Sequence, residues 1–220
     1  LHVAKGKRLL FITQKLHEQD AFGILWIQAF QDCGYEVDVI CLEWKEHEAK
    51  KAIGTDRFTF RVHSLGKERG VGKLVQILRF MWFTWTLSYE RVFIHMAPVW
   101  GALGAPAFVI RRKPTYLWYT HYKMQIGLYV LGWYGKRLFC ATKQSLPQYA
   151  HSSKKVVVGH GIDLQYWHRR TNVATNSTHL LVVHRLSRSK RLELSIQAIS
   201  MLPSRYTLDI YGIEEIGRAH

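Results

Sequence analysis

A chain of 220 residues with a net charge of +15 has room for one large domain, or for one domain and part of a second. Hydrophobic residues make up 48 % and charged ones 21 %, which excludes intrinsic disorder, and five prolines without a biased tract exclude a collagen-like or low-complexity chain. Cys33, Cys41 and Cys140 form no Cys-x-x-Cys pair, which argues against a disulfide framework or a cysteine zinc site and for a reducing compartment.

Short β-branched or aromatic runs alternate with longer amphipathic stretches, the pattern of an α/β protein with a mostly parallel sheet. Residues 8–13 read as the first strand. A helix over 24–33 stops at Gly34, which suits a left-handed helix end. Strands follow at 36–42 and 58–64, then an apolar helix at 71–88 and a strand at 91–95. A helix over about 99–112 stops before Pro114. Residues 115–120, 137–142 and 155–158 read as three more strands. These elements make one complete, doubly wound, Rossmann-like domain over residues 1–171.

The polar stretch 172–178 reads as a linker, after which the pattern restarts with a strand at 179–183, a helix at 190–202 and a strand at 206–211. One β-α-β unit cannot bury both faces of its sheet, so residues 172–220 are expected to be the start of an incomplete second domain. Leu1 in place of Met also suggests a fragment.

No charged-then-apolar leader opens the chain, and no uninterrupted apolar run reaches the ~18 residues of a membrane span. The nearest, residues 74–89, carries Arg79 near its middle. A cytoplasmic protein is expected. Phe80, Trp82, Phe83 and Trp85 with Lys73 and Arg79 suit an anionic membrane surface. A helix apolar nearly all round is more often buried in an α/β core, and burial is the expectation here.

The basic balance points to an anionic partner, and nucleic acid, anionic lipid and a phosphorylated small molecule all fit it. Arg185 follows a strand, and Arg188, Lys190 and Arg191 crowd the start of the next helix, with Ser189 as the expected N-cap. Cations oppose the helix dipole there, so the cluster makes sense if a phosphate or diphosphate binds among them, at the carboxyl end of the strand. A solvated basic surface is the other reading.

In the first domain His121 follows the strand ending at Thr120, where a histidine can donate a hydrogen bond, act as a base or orient a substrate. His95 and His160 stand at comparable strand ends. No His-x-x-x-His spacing or partner carboxylate supports a zinc site. Residues 66–73 imitate a P-loop, but the spacing is one residue too long and Leu74 replaces the Ser/Thr. No Gly-x-Gly-x-x-Gly follows the first strand, which removes support for nicotinamide or flavin binding.

The order of short motifs carries a resemblance. The loop from Gln14 to Gly23 is followed by His95-Met-Ala-Pro98, Leu117-Trp-Tyr-Thr-His121, Phe139-Cys-Ala-Thr-Lys143, Gly159-His-Gly-Ile-Asp163 and Val182-Val-His-Arg185 with Lys190. Together they resemble glycosyltransferase family 4, with the two-domain GT-B fold. The resemblance implies transfer of a sugar from a nucleotide-diphosphate donor, with retention and without an essential metal or cofactor, in glycan or glycolipid synthesis. It implies a glycan or lipid-linked acceptor on the N-terminal domain and no nucleic-acid partner; peripheral contact at the inner face of the membrane is the secondary reading of the aromatic-rich helix. By the same resemblance Arg185 and Lys190 bind the donor diphosphate and His121 stands near the transferred sugar. Asp20, Phe22 and Gly23 fall in the loop over the reaction centre, and Gly161 and Asp163 match the signature ahead of the second domain.

Two departures stand out. His184 replaces the family's usual glycine before Arg185. The family's paired glutamates would lie beyond His220, so the fragment is expected to be inactive alone. A non-catalytic module for an anionic polymer or membrane surface is the alternative, and a sugar-nucleotide epimerase a third reading.

Overall fold

Leu9, Leu10, Phe11 and Ile12 are all buried in strand β1 (Lys7–Leu16), so neither face of this strand meets water. An unbroken apolar run is what a strand inside a parallel sheet requires. The structure, a computed structural model, describes residues 7–16, 21–45, 60–161, 164, 178–184 and 186–212. The chain divides into two compact units, Leu1–Gly161 and Ile162–His220. Most of the expected linker, like the expected boundary at 171/172, lies outside the described residues.

In the first unit β1 leads to helix α1 (Ala21–Asp32), β2 (Tyr35–Trp44), β3 (Arg61–Ser64) and α2 (Lys73–Thr86). Then come β4 (Arg91–His95), α3 (Pro98–Ile110), β5 (Thr115–Trp118), α4 (Ile126–Tyr134), β6 (Arg137–Cys140) and β7 (Lys155–Val157). The strands form one parallel sheet in the order β3-β2-β1-β4-β5-β6-β7. The order reverses beside β1, where Phe11 lies between Val39 of β2 and Phe93 of β4.

Helices cover both faces. Ile24 and Ile27 of α1 pack with Phe11, Val37 and Phe93 on one side. On the other, Phe80 of α2, Phe108 of α3 and Leu128 and Leu131 of α4 join Leu10, Ile12, Val92 and Leu117. Gly34 takes φ 83° after α1, the left-handed end expected from the sequence. Arg111 ties α2 to α3: its guanidinium donates to Thr84 O at 2.6 Å and Leu87 O at 2.9 Å and stacks 4.5 Å over the Tyr89 ring. At the sheet edge Asp38 is buried and holds Arg61 at 2.8 Å and His63 at 3.1 Å.

Helix α4 has no counterpart in the sequence reading. Gly127 lets it approach α3 so closely that a Cβ there would collide with the Pro98 carbonyl. The Tyr134 hydroxyl then donates to Gly101 O at 2.7 Å. Gly127→Ala is expected to cost about 1–3 kcal/mol by overpacking, read as a lower urea midpoint.

The expected burial of the apolar helix is overturned. In α2 the buried side chains are Gln76, Phe80 and Thr84, while Leu74, Leu78 and Trp82 are 70 %, 59 % and 67 % exposed. A helix lying on one face of a sheet buries a single stripe whatever its composition. Phe80 selects that stripe by packing 4.9 Å from Trp100 of α3. The two polar members are satisfied locally, Gln76 by Val71 O and Thr84 by Met81 O.

The second unit comprises β8 (His179–Val183), α5 (Leu192–Ser200) and β9 (Thr207–Tyr211). The two strands are parallel, with Leu181 opposite Asp209. The helix starts at Leu192 and not at 190. Ser189 is not its N-cap: residues Arg188–Lys190 form a 3-10 turn, and Arg191, in the left-handed region at φ 48°, occupies the cap.

Candidate functional site

Seven parallel strands bring their carboxyl ends to one edge, where loops leave the ladder and side chains are free of sheet geometry. Strand β4 ends in His95, β5 runs out through Tyr119 to His121, and β7 runs out through Gly159 and His160 to Gly161. Strands β5 and β6 stop at Trp118 and Cys140, two residues earlier than expected, which lengthens the loops at this edge.

His95 is buried and stacks on Phe11, with ring centroids 5.9 Å apart and planes 22° apart. Burial pushes its imidazole down to about 4, so the ring is neutral at pH 7. Met96 follows in the left-handed region at φ 54°, and its N–H donates to Trp118 O at 2.9 Å. A non-glycine residue held there is uncommon and turns the chain sharply.

His121 is exposed beside the buried Tyr119, edge to face with centroids 5.5 Å apart. Burial raises the Tyr119 phenol, and its hydroxyl donates to Lys123 O at 3.2 Å, closing the loop that presents His121. Ser145 braces the same loop from the β6 side by donating to Thr120 O at 3.2 Å, and its own hydroxyl lies 3.1 Å from that of Thr142. The sequence reading missed Tyr119, Ser145 and Thr142 as supports. Hydroxyl side chains just past two adjacent strand ends were the available signal.

His160 is exposed and meets the Trp118 ring edge to face at 5.7 Å. Trp118 therefore stands next to His95 in sequence register and against His160 in space. Gly159 takes φ 77°, and a Cβ on Gly159 or Gly161 would meet nothing within 4 Å. Of the described histidines at the ends of β4, β5 and β7, one is buried and neutral and two are exposed. Gly23 and the backbone of Phe22 lie in the first turn of α1, the next described element after β1.

In the second unit Lys190 is exposed on the 3-10 turn ahead of α5, and its N–H donates to Ser187 O at 2.9 Å. Arg188 is exposed on the same turn. Arg191 lies 3.7 Å from Glu193 at the helix start, so part of the cation cluster is offset within the unit. Asp20, Asp163 and Arg185 lie outside the described residues.

The glycine-rich segment before α2 is closed from within. Glu68 accepts from Ser64 Oγ at 2.7 Å and from the Trp44 N–H at 3.2 Å, placing a carboxylate inside the turn. That charge opposes phosphate binding, as the failed P-loop spacing predicts. Among the described residues no group of three or more His, Cys, Asp or Glu side chains is placed to hold a metal ion.

The reversed seven-stranded parallel order, with helices on both faces, makes this an α/β chain of the GT-B, Rossmann-like type. No family model matches the chain, and no curated protein sequence matches it. Solved structures do share the fold. MurG from Acinetobacter baumannii aligns at 14 % identity over 95 % of this chain and 69 % of its own, with a TM-score of 0.54. Anabaena HepE, solved in complex with UDP and glucose, aligns at 16 % identity over 93 % of this chain and 60 % of its own, with a TM-score of 0.61. A UDP-N-acetylglucosamine 2-epimerase aligns at 9 % identity over 97 % and 70 %, with a TM-score of 0.60. The chain therefore spans 60 % to 70 % of the length of these structures, and at such identities what is shared is the fold.

Proposed function

We propose that residues 1–171 are the acceptor-side domain, and residues 172–220 the opening of the donor-binding domain, of a retaining glycosyltransferase. The enzyme moves a sugar from a nucleotide-diphosphate donor to a glycan or lipid-linked acceptor. The observation that carries this reading is the carboxyl edge of a GT-B-type sheet with His121 presented on a braced loop at the same edge as His95 and His160. The fold shared with a protein solved with UDP and glucose supports it.

In the reaction the bond from the anomeric carbon to the diphosphate oxygen breaks, and the acceptor oxygen bonds that carbon as its proton passes to the departing diphosphate oxygen. Negative charge grows on the departing diphosphate. Preorganised cations act where that charge develops, which is the role assigned to Arg185 and Lys190. His121 is assigned a hydrogen bond to the transferred sugar, and Asp20, Phe22 and Gly23 the cover over the reaction centre. Gly161 and Asp163 lead into the donor-binding part.

Calorimetric titration with UDP, GDP and ADP, on the chain extended by a complete donor-binding domain, tests the reading without an acceptor. One of the three is expected to bind, and Arg185→Ala and Lys190→Ala are each expected to weaken it about tenfold or more, the value of one charge-assisted hydrogen bond. Unchanged affinity in both variants, or no binding of any nucleotide, overturns the assignment.

The epimerase among the fold's neighbours supports a second reading. Turnover of a sugar nucleotide with no acceptor present would favour it over transfer.

A further inference from the structure

Helices α2, α3 and α4 pack side by side over one face of the sheet, and each turns an apolar stripe outward. On α2 the stripe is Leu74, Leu78 and Trp82, spaced four residues apart, and all three are exposed. The fully buried stripe of the same helix is Gln76, Phe80 and Thr84, flanked by the partly buried Met81 and Phe83, so three large apolar side chains of α2 are left facing away from the core. On α4 the outward residues are Ile126, Tyr129 and Trp133, again one helical face, while Leu128 and Leu131 point into the core. Between them α3 exposes Val109 and Ile110. Three adjacent helices with the same defect make a surface, not a scatter of exposed side chains.

The charge around this surface has one sign. From Lys73 to Lys136 there are eight Lys and Arg and a single acid, Glu90, and from Arg91 to Gly161 there is no acid at all. Lys73, Arg79, Arg112, Lys123 and Lys136 are exposed at the ends and flanks of the three helices. A second copy of the chain would bring an equally positive surface against this one, which disfavours self-association. An anionic bilayer supplies the opposite charge together with an apolar interior. Exposed Trp and Tyr with flanking Lys and Arg is the composition of a side chain layer at a membrane–water interface.

We propose that the outer face of α2, α3 and α4 is a docking surface for anionic phospholipid. Binding is in the interface plane: α2 has fourteen residues, about 21 Å of helix against a hydrocarbon core of about 30 Å. Among the described residues no helix is long and apolar enough to cross a membrane. Helices antiparallel to the strands start at the sheet's carboxyl edge, so Leu74 and Ile126 lie toward the edge that carries His121. Docking this layer would hold that edge near the bilayer, which suits the lipid-linked acceptor of the proposed function. Lipid binding itself requires no sugar nucleotide, so its failure would leave the transfer reading untouched.

The 220-residue chain is mixed with vesicles of phosphatidylcholine alone, or of phosphatidylcholine with phosphatidylglycerol, and sedimented. Binding is expected only with phosphatidylglycerol, and it should fall at high salt as the Debye length shrinks. Trp82→Ser and Leu78→Ser should each weaken partitioning on the order of tenfold through lost apolar burial. Both positions are exposed, and far-UV circular dichroism is expected to be unchanged. Equal binding to both lipids, no binding, or full binding by both variants overturns the proposal. So does a dimer in sedimentation velocity that Trp82→Ser dissociates, which would make a second copy the occupant.

Discussion

Phe80→Ala is expected to destabilise the first unit by about 3–5 kcal/mol, the range for deleting a fully buried phenyl ring. Phe80 is the large side chain through which α2 enters the core, against Trp100 of α3, and the other buried members of its stripe are Gln76 and Thr84. Trp82→Ser, two positions on, should change stability by less than ~0.5 kcal/mol, because the larger ring leaves little packing behind. Urea unfolding reads both. A lower midpoint for Phe80→Ala with an unchanged slope reports lost packing alone. If the two variants unfolded at the same midpoint, the stripes assigned to the two sides of α2 would be wrong.

The second large effect is acid destabilisation through His95. Its folded value is lowered from 6.5 to about 4 by burial, so in the native state it resists protonation. The unfolded chain takes up a proton at this residue as the pH falls below about 6.5, and the folded one does so only near 4. Stability from the neutral ring is therefore fully present above 6.5 and is lost on going down through that window, by roughly 3 kcal/mol. His95→Phe removes the titration while keeping a ring to stack on Phe11. The difference in stability between this variant and the parent is expected to grow as the pH drops from 6.5 to 4. An identical pH profile for the two chains would show that His95 can be charged in place.

Strand β4 illustrates what was legible in the sequence: Arg91 to His95 was read with its observed bounds, because an unbroken apolar run between polar neighbours has one outcome in a parallel sheet. The doubly wound α/β architecture followed from the repetition of such runs, and the GT-B type from the resemblance carried by the order of the short motifs. Helix α4 was illegible because Gly127 and Gly132 lower its intrinsic propensity. It forms because those positions let it sit close to Pro98 and Tyr149, a tertiary reason. The burial of α2 failed for a related cause. Composition announces that a helix is apolar, but the stripe that touches the sheet is decided by its neighbours. At the candidate site, the strand ends and their histidines were readable by position. The left-handed Arg191 that displaces the helix start from 190 to Leu192 was not, since nothing in Arg191 itself favours that conformation.

The margins of the sheet have a consequence for how the protein behaves when crowded. Among the described strands the outermost are β3, with four residues, and β7, with three. Arg61 on β3 is pinned to Asp38, and the Lys155 ammonium of β7 donates to Lys143 O at 2.8 Å. A foreign strand would gain few backbone hydrogen bonds at either border and would meet an anchored cation. Ribbon-like growth from copy to copy is thereby disfavoured at both rims of the seven-stranded sheet.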